Sequence, residues 1–238
     1  MYFCHHPFKK DRFKFVEYYQ CKSKLNFTGF KRRSFFTKII DLSQGEDKIF
    51  GNFGRNTRYK INKAKKEGII FNIENNVEQF VKFYNLFAAS KKIGPTSVEA
   101  IKNYENYFII TKAMQNNRIL VMHAYLINEE EKRVRLWMSA SLFRYDNNHE
   151  NRPLIGMANR FLHFADMLFF KDRNFTIYDL GGYAYESKDE SLIEINKFKD
   201  GFGGILLEES IYTSYPLLIY RFLLNKASIF LKKTTLPW

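Results

Sequence analysis

Apolar residues recur along this chain at two spacings, and each change of spacing marks a new element. Phe35, Phe36, Ile39 and Ile40 fall within residues 34–42, a strand pattern broken by Ser43-Gln44-Gly45. A short helix is predicted over residues 47–52. Thr57, Ile61, Ala64 and Gly68 then return at helical spacing, with Asn56 or Thr57 as cap and Gly68 as terminator. Residues 69–73 read as a strand, and residues 77–92 as a helix with Phe80, Phe83, Tyr84, Phe87 and Ala88 on its apolar side. Gly94-Pro95-Thr96 ends it, and a second helix is predicted over residues 98–116, carrying Tyr104, Phe108, Ala113 and Met114. Strands over residues 118–128 and 132–142 flank the turn Glu129-Glu130-Glu131. In the second strand Trp137, Ser139 and Ser141 alternate with Met138, Ala140 and Leu142, so the hydroxyls face one side of the sheet, which is either a cleft or a packed surface.

Residues 145–152 form a polar loop with His149, and the densest pattern follows. Pro153 and Gly156 precede the apolar run 157–170, which predicts a helix starting near Gly156. Within it Asn159, His163 and Asp166 make one narrow polar stripe on an otherwise apolar, and therefore buried, helix. Residues 175–180 read as a strand stopping at Gly181-Gly182, which puts Asp179 at a strand's carboxyl end, where open α/β sheets place ligands. Residues 183–190 are a predicted ligand-side loop, 191–197 a short helix, 198–204 a glycine-rich turn, 205–212 a final strand and 216–233 a final helix. That last helix is either a core helix or one resting on a membrane surface. Residues 1–33 are basic and aromatic without periodicity, a mobile arm or an edge hairpin, ahead of one domain over residues 34–238.

Composition narrows the classes. Hydrophobic content of 45% and aromatic content of 18% exclude general disorder. The net charge of +13 points to anionic partners: phosphates, nucleic acid, acidic carriers or anionic lipid. Two cysteines are too few for a disulfide framework, and Cys4-His5-His6 lacks a further ligand at zinc spacing, so neither metal nor disulfide is expected and the compartment read is reducing and cytoplasmic. No secretory leader opens the chain, and the apolar stretch 216–231 is interrupted by Arg221 and Lys226, so no transmembrane segment is expected.

The element order resembles the GNAT acyltransferase fold, an α/β (α+β) mixed central sheet flanked by helices. More narrowly, Asn56-Thr57-Arg58-Tyr59-Lys60-Ile61-Asn62-Lys63-Ala64-Lys65-Lys66-Glu67-Gly68 resembles the Arg-rich helix of the Fem family of bacterial aminoacyltransferases that build peptidoglycan cross-bridges. The segments 155–163, Tyr178-Asp179-Leu180-Gly181-Gly182 and Phe198-Lys199-Asp200-Gly201-Phe202-Gly203-Gly204 are similar to the same FemAB-like group, some of whose small members accompany surface-polysaccharide pathways. The chain departs from the pattern in having room for one GNAT-like half, and in a Arg152-to-Ala158 segment one residue longer than the loop that grips the CoA pyrophosphate.

The resemblance implies transfer of an acyl group from acyl-CoA or an acyl carrier to an amine or hydroxyl of a phosphorylated sugar or lipid-linked envelope precursor. Alternatives are a tRNA-dependent aminoacyltransferase and a non-catalytic binding protein on the same scaffold. His163 is the candidate base, because neutral imidazole serves near neutrality, with Asp166 or Asp179 orienting it; the competing reading is a hydrogen-bonded core histidine. Arg152, Gly156, Met157, Ala158 and Asn159 are the candidate donor-anion site at a helix N-terminus. Arg58, Asn62, Lys65, Trp137, Ser139, Gly181, Gly182, Tyr183 and Lys199 are candidate substrate contacts, the helix cations reading equally as a solvated face. The expected location is the cytoplasm, with contact at the inner membrane face as an option.

Overall fold

The computed structural model describes residues 3–104, 107–141 and 152–234. The backbone divides into two compact units, residues 38–206 and residues 1–37 with 207–238. The predicted loop containing His149 lies outside the described residues.

The larger unit is built on strands in the order β2-β7-β6-β5-β4-β3: the end of β2 (Phe30–Asp41), β7 (Ile177–Gly182), β6 (Arg133–Ser141), β5 (Arg118–Asn128), β4 (Phe108–Gln115) and β3 (Ile70–Glu74). β3 to β6 pair antiparallel, and β6 and β7 pair in parallel. A parallel neighbour needs a crossover, and α5 (Arg152–Lys171) supplies it. Helices cover both faces, which is why Leu120 to Leu126 in β5 are buried without a break. Val121 packs with Ile155, Ala158 and Leu162 of α5 and Ala64 of α2 (Arg55–Lys66). Met122 and Ala124, on alternate positions, pack with Phe80 and Phe83 of α3 (Val77–Lys91) and Ile101 of α4 (Val98–Lys102). Each of the larger side chains among these contributes about 1.5–3 kcal/mol by leaving water.

Several boundaries differ from the pattern. The helix expected over residues 98–116 is cut to α4, and Phe108–Gln115 becomes β4, the strand that joins β3 to β5. Phe108-Ile109-Ile110-Thr111 is aromatic and β-branched, and two ready strand neighbours outweigh a helical spacing of apolar residues. α5 starts at Arg152 rather than near Gly156, with Pro153 in its first turn, where proline's missing N–H costs nothing. α2 starts at Arg55 after Gly54, so neither Asn56 nor Thr57 is its cap, and Thr57 is buried in the first turn. Before it, α1 (Glu46–Gly51) is the short helix expected there. α6 (Glu190–Asp200) is capped by the Asp189 side chain and runs far enough to carry Phe198 and Lys199 on a helix instead of in a turn.

The smaller unit holds β1 (Glu17–Cys21), the first part of β2, most of β8 (Ile205–Ser214) and α7 (Tyr215–Thr234). β1 pairs antiparallel with β8 rather than forming a hairpin with β2. Tyr18, Cys21, Phe30 and Tyr212 form its core. Glu17 takes both nitrogens of Arg221 at 2.9 and 3.1 Å, which ties α7 to β1.

Candidate functional site

α5 carries the polar stripe that its sequence promised, and β5 and β7 supply its partners. His123 and Tyr125, two residues apart in β5, face α5. His123 sets one ring nitrogen 2.8 Å from Asp166 and the other 3.0 Å from Asn159 Oδ1. Tyr125 donates to the same Asp166 oxygen at 2.6 Å. Tyr178 lies 2.6 Å from Tyr125 and 2.7 Å from His163 Nδ1. Each hydroxyl has one proton, so counting gives one direction: His163 Nδ1–H to Tyr178, Tyr178 to Tyr125, Tyr125 to Asp166. Burial first, then the nearby charges of His123, Lys199 and Arg160, hold His163 well below the ordinary histidine range. Burial likewise raises Tyr125 and Tyr178 well above the usual phenol value. Asp166, expected to orient His163, reaches it only through the two tyrosines.

Asp179 belongs elsewhere. Side chains alternate along β7, so Tyr178 turns to α5 and Asp179 to the opposite face. There Asp179 accepts from Arg133 at 2.6 and 3.2 Å, while its other oxygen takes the Gly181 N–H at 2.8 Å. The sheet therefore separates His163 from Asp179. Gly181 has φ +76°, and a Cβ there would lie 3.0 Å from the Leu136 carbonyl oxygen, so the turn ending β7 requires glycine. Lys199, buried on α6, donates to the Gly181 carbonyl at 3.2 Å and to the Gly182 carbonyl. Burial, only partly opposed by the Asp179 charge, brings its pKa down to about 8.

Beside this glycine pair, β6 and β7 keep parallel register only where Arg133 to Arg135 face Ile177 to Asp179. The β5–β6 register then slips, Ala124 facing Met138 and Tyr125 facing Leu136, so Trp137 is an extra residue in β6. The expected alternation fails at that point: Trp137 and Met138 pack against the same cluster under α3, with Trp137 4.9 Å from the Tyr104 ring. Ser139, opposite His123, faces α5.

Gly156, Met157 and Ala158 do not stand at a helix N-terminus as expected. They lie inside α5, Met157 and Ala158 buried in the core, and the Gly156 carbonyl accepts from Arg160 at 3.0 Å. Their amides are consumed by the helix, because it begins four residues earlier at the half-buried Arg152. Arg58 donates to the Gly51 and Phe53 carbonyls at 2.7 and 2.6 Å, Asn62 is exposed, and Lys65 lies 5.1 Å over the Phe164 ring. Tyr183 donates to Asp200 at 3.0 Å. Two cations that the pattern did not single out stand out instead. Arg160 stacks on Phe198 at 4.8 Å, has a buried Nε with no hydrogen-bond partner, and is lowered by burial. Lys60 of α2 is lowered by burial and then by the Arg160 charge. The two half-buried cations repel each other, a strain that an anion between them would relieve; the sequence signal was Lys60 one turn from Ala64 on an apolar flank. A cavity of about 650 Å³ lies at the other end of β7, bounded by Asp41, Gln44, Asn52, Ile177, Phe202 and Gly204 among others, and none of Gly156, His163 and Asp179 lines it. Among the described residues no group of three His, Cys, Asp or Glu side chains is placed to hold a metal ion.

No protein-family model matches the sequence, and no curated protein does. Solved structures do resemble the fold. FemX superposes with a TM-score of 0.63 at 13% identity, over 82% of this chain and 68% of that one. The C-terminal domain of a putative lysylphosphatidylglycerol synthetase from Agrobacterium fabrum gives 0.59 at 12% identity, over 83% and 67%. L-PGS from Bacillus licheniformis gives 0.57 at 12% identity, over 87% and 71%. What this chain shares with them at such identities is architecture: it has the fold of FemX and of these synthetase structures.

Proposed function

We propose that this protein is an acyltransferase of the aminoacyl-transferring kind, moving an acyl group from an activated ester to an amine or hydroxyl. The observation that carries the reading is the end of the paired β6–β7 register just before the Trp137 bulge, next to the Gly181-Gly182 end and the Lys199 ammonium. An acyl carbonyl laid beside β6 meets backbone donors there, and Lys199 is the cation nearest the strand end, poised to stabilise an oxyanion. The acceptor's lone pair forms the new bond to the carbonyl carbon, the carbon–oxygen bond to the donor breaks, and the acceptor's proton passes to the departing alkoxide.

His163 and Asp166 serve this reading as the buried frame that holds α5 against β5 and β7. Lys60 and Arg160 hold a phosphate of the donor or acceptor. Gly156 to Ala158 lie inside a helix and do not themselves form a CoA-pyrophosphate loop, and the donor proposed is the ester of a charged tRNA ahead of acyl-CoA or an acyl carrier. The acceptor proposed is a phosphorylated envelope precursor, a sugar, lipid-linked glycan or peptidoglycan unit; the name of one neighbour specifies lysylphosphatidylglycerol. Among the described residues no helix is long and apolar enough to cross a membrane, and the proposed location is the cytoplasm.

The test is a donor panel. Purified protein incubated with aminoacyl-tRNAs, acetyl-CoA and longer acyl-CoAs, then read by mass spectrometry, should retain an aminoacyl-tRNA and transfer its aminoacyl group to an amine or hydroxyl acceptor. Retention of acyl-CoA alone would reverse the donor, and no retention of either, with Lys60→Ala plus Arg160→Ala behaving as the parent, would remove the enzymatic reading.

A further inference from the structure

The smaller unit carries an imbalance that the transfer reaction does not use. Its residues 1–37 and 207–238 hold thirteen Lys and Arg against four Asp and Glu, whereas residues 38–206 hold 25 against 21. Most of the surplus positive charge of the chain therefore sits on the smaller unit.

The same unit leaves large apolar side chains in water. Phe13, Phe15 and Leu25 are between 67% and 75% exposed, and Ile219, Tyr220, Phe222, Leu223 and Leu224 of α7 between 49% and 59%. Residues 219–226 of α7 are exposed on every side of the helix, so none of the described residues covers that turn. An apolar helix surface of that width is not stable facing water. The two groups adjoin: the Phe15 and Tyr220 rings lie 5.4 Å apart, and Glu17 beside Phe15 holds Arg221. Cations are interleaved with them, Arg12 lying 4.6 Å over the Phe13 ring and Lys226 4.6 Å over Phe222, with Lys9, Lys10 and Lys14 in the same segment.

We propose that this surface seats the protein on an anionic lipid bilayer, with Phe13, Phe15 and the exposed turn of α7 entering the headgroup layer and Lys9, Lys10, Arg12, Lys14 and Lys226 meeting lipid phosphates. Charge complementarity selects an anionic partner, and the aliphatic residues choose among anionic partners. Ile219, Leu223, Leu224 and Leu25 gain from acyl chains and gain little from a nucleic-acid backbone, which rewards stacking and cations. Rings with cations stacked on them suit the interface, where one end of the side chain is apolar and the other wet.

The experiment is co-sedimentation of the full chain with vesicles of phosphatidylcholine alone and of phosphatidylcholine with about 30 mol% phosphatidylglycerol, at low and high salt. Binding should require the anionic lipid and weaken as salt rises. Lys9→Ala plus Lys10→Ala should weaken it roughly 30-fold and Phe13→Ser plus Phe15→Ser roughly tenfold or more, with unchanged circular dichroism. Lys63→Ala plus Lys66→Ala, exposed cations of α2, should leave it as it was. Equal binding to neutral vesicles, or none to either, overturns the proposal. So does a self-associated species that the Phe13/Phe15 variant abolishes without any vesicle binding, which assigns the surface to a second copy, and so does binding of tRNA with none to vesicles.

Discussion

Two clusters of ionisable groups flank β7, and they have opposite characters. Toward α5, Asn159, His163 and Asp166 meet His123, Tyr125 and Tyr178 in one buried hydrogen-bonded network. At the glycine end of the same strand, Lys199 keeps a buried ammonium against two carbonyls, with a pKa of about 8, within reach of ordinary pH. In the first cluster each of these side chains hydrogen-bonds to another, with Asp166 Oδ1 left buried and unpaired; the second holds a charge at a cost in desolvation. Residues attractive to the chemist by type, a histidine and an aspartate on one helix, thus belong to the frame, and a lysine that passes for a surface cation stands at the strand end.

That contrast breaks most directly at Asp166. Asp166→Ala leaves the Tyr125 hydroxyl and His123 buried without their acceptor, and should cost about 3–5 kcal/mol in urea unfolding; a loss under about 1 kcal/mol would mean the network is not a frame. Lys199→Ala should do the reverse, cutting transfer by roughly 10²- to 10³-fold while stability holds or rises, since a desolvated charge is removed. If both variants lose stability and activity together, the division between frame and site fails.

The pH responses should separate as well. Lys199 is lowered from 10.5 to about 8, so its ammonium is lost as pH rises through about 8 and transfer should decline there. Over the interval from about 8 to 10.5 the unfolded chain binds the proton more tightly, so this group makes stability rise with pH. His163 stays neutral when folded, whereas the unfolded chain protonates it below about 6.5, so folding stability should fall as pH drops below that value, by up to about 1.4 kcal/mol per pH unit. His163→Gln should flatten the acid limb in a denaturation series; an unchanged limb would mean the imidazole charges in place. The smallest effects lie on α2. Arg58→Ala should cost about 1–2 kcal/mol by releasing the Gly51 and Phe53 carbonyls, while Asn62→Ala should change stability by less than about 0.5 kcal/mol. Equal thermal shifts for the two would show Arg58 to be as solvated as its neighbour.

The pattern of residues disclosed most of this architecture, and the lapses have physical causes. Arg118 to Asn128 was legible to the residue because a continuous apolar run, β-branching and a turn all agree there. Phe108 to Gln115 was not, since its apolar residues also fit a helix and only the presence of β3 and β5 on either side decides. The start of α5 was obscured by Gly156, although Pro153 was the better marker. The α5 stripe was visible, but its partners were not sought: His123 and Tyr125, polar at i and i+2 in an otherwise apolar strand, were a signal that something polar faced them. Arg133 gave no signal at all, because its pairing with Asp179 depends on a parallel register that no local spacing encodes.

One residue in β6 decides which neighbours the following ones meet. Before Trp137 the even positions Val134 and Leu136 turn toward the α5 side; after it the odd position Ser139 does. The bulge is a change of phase, and a deletion of that single residue would close it, leaving Met138 opposite Ala124 and Ser139 opposite His123 in an unbroken alternation. A strand of nine residues thereby carries two incompatible reading frames spliced at a tryptophan.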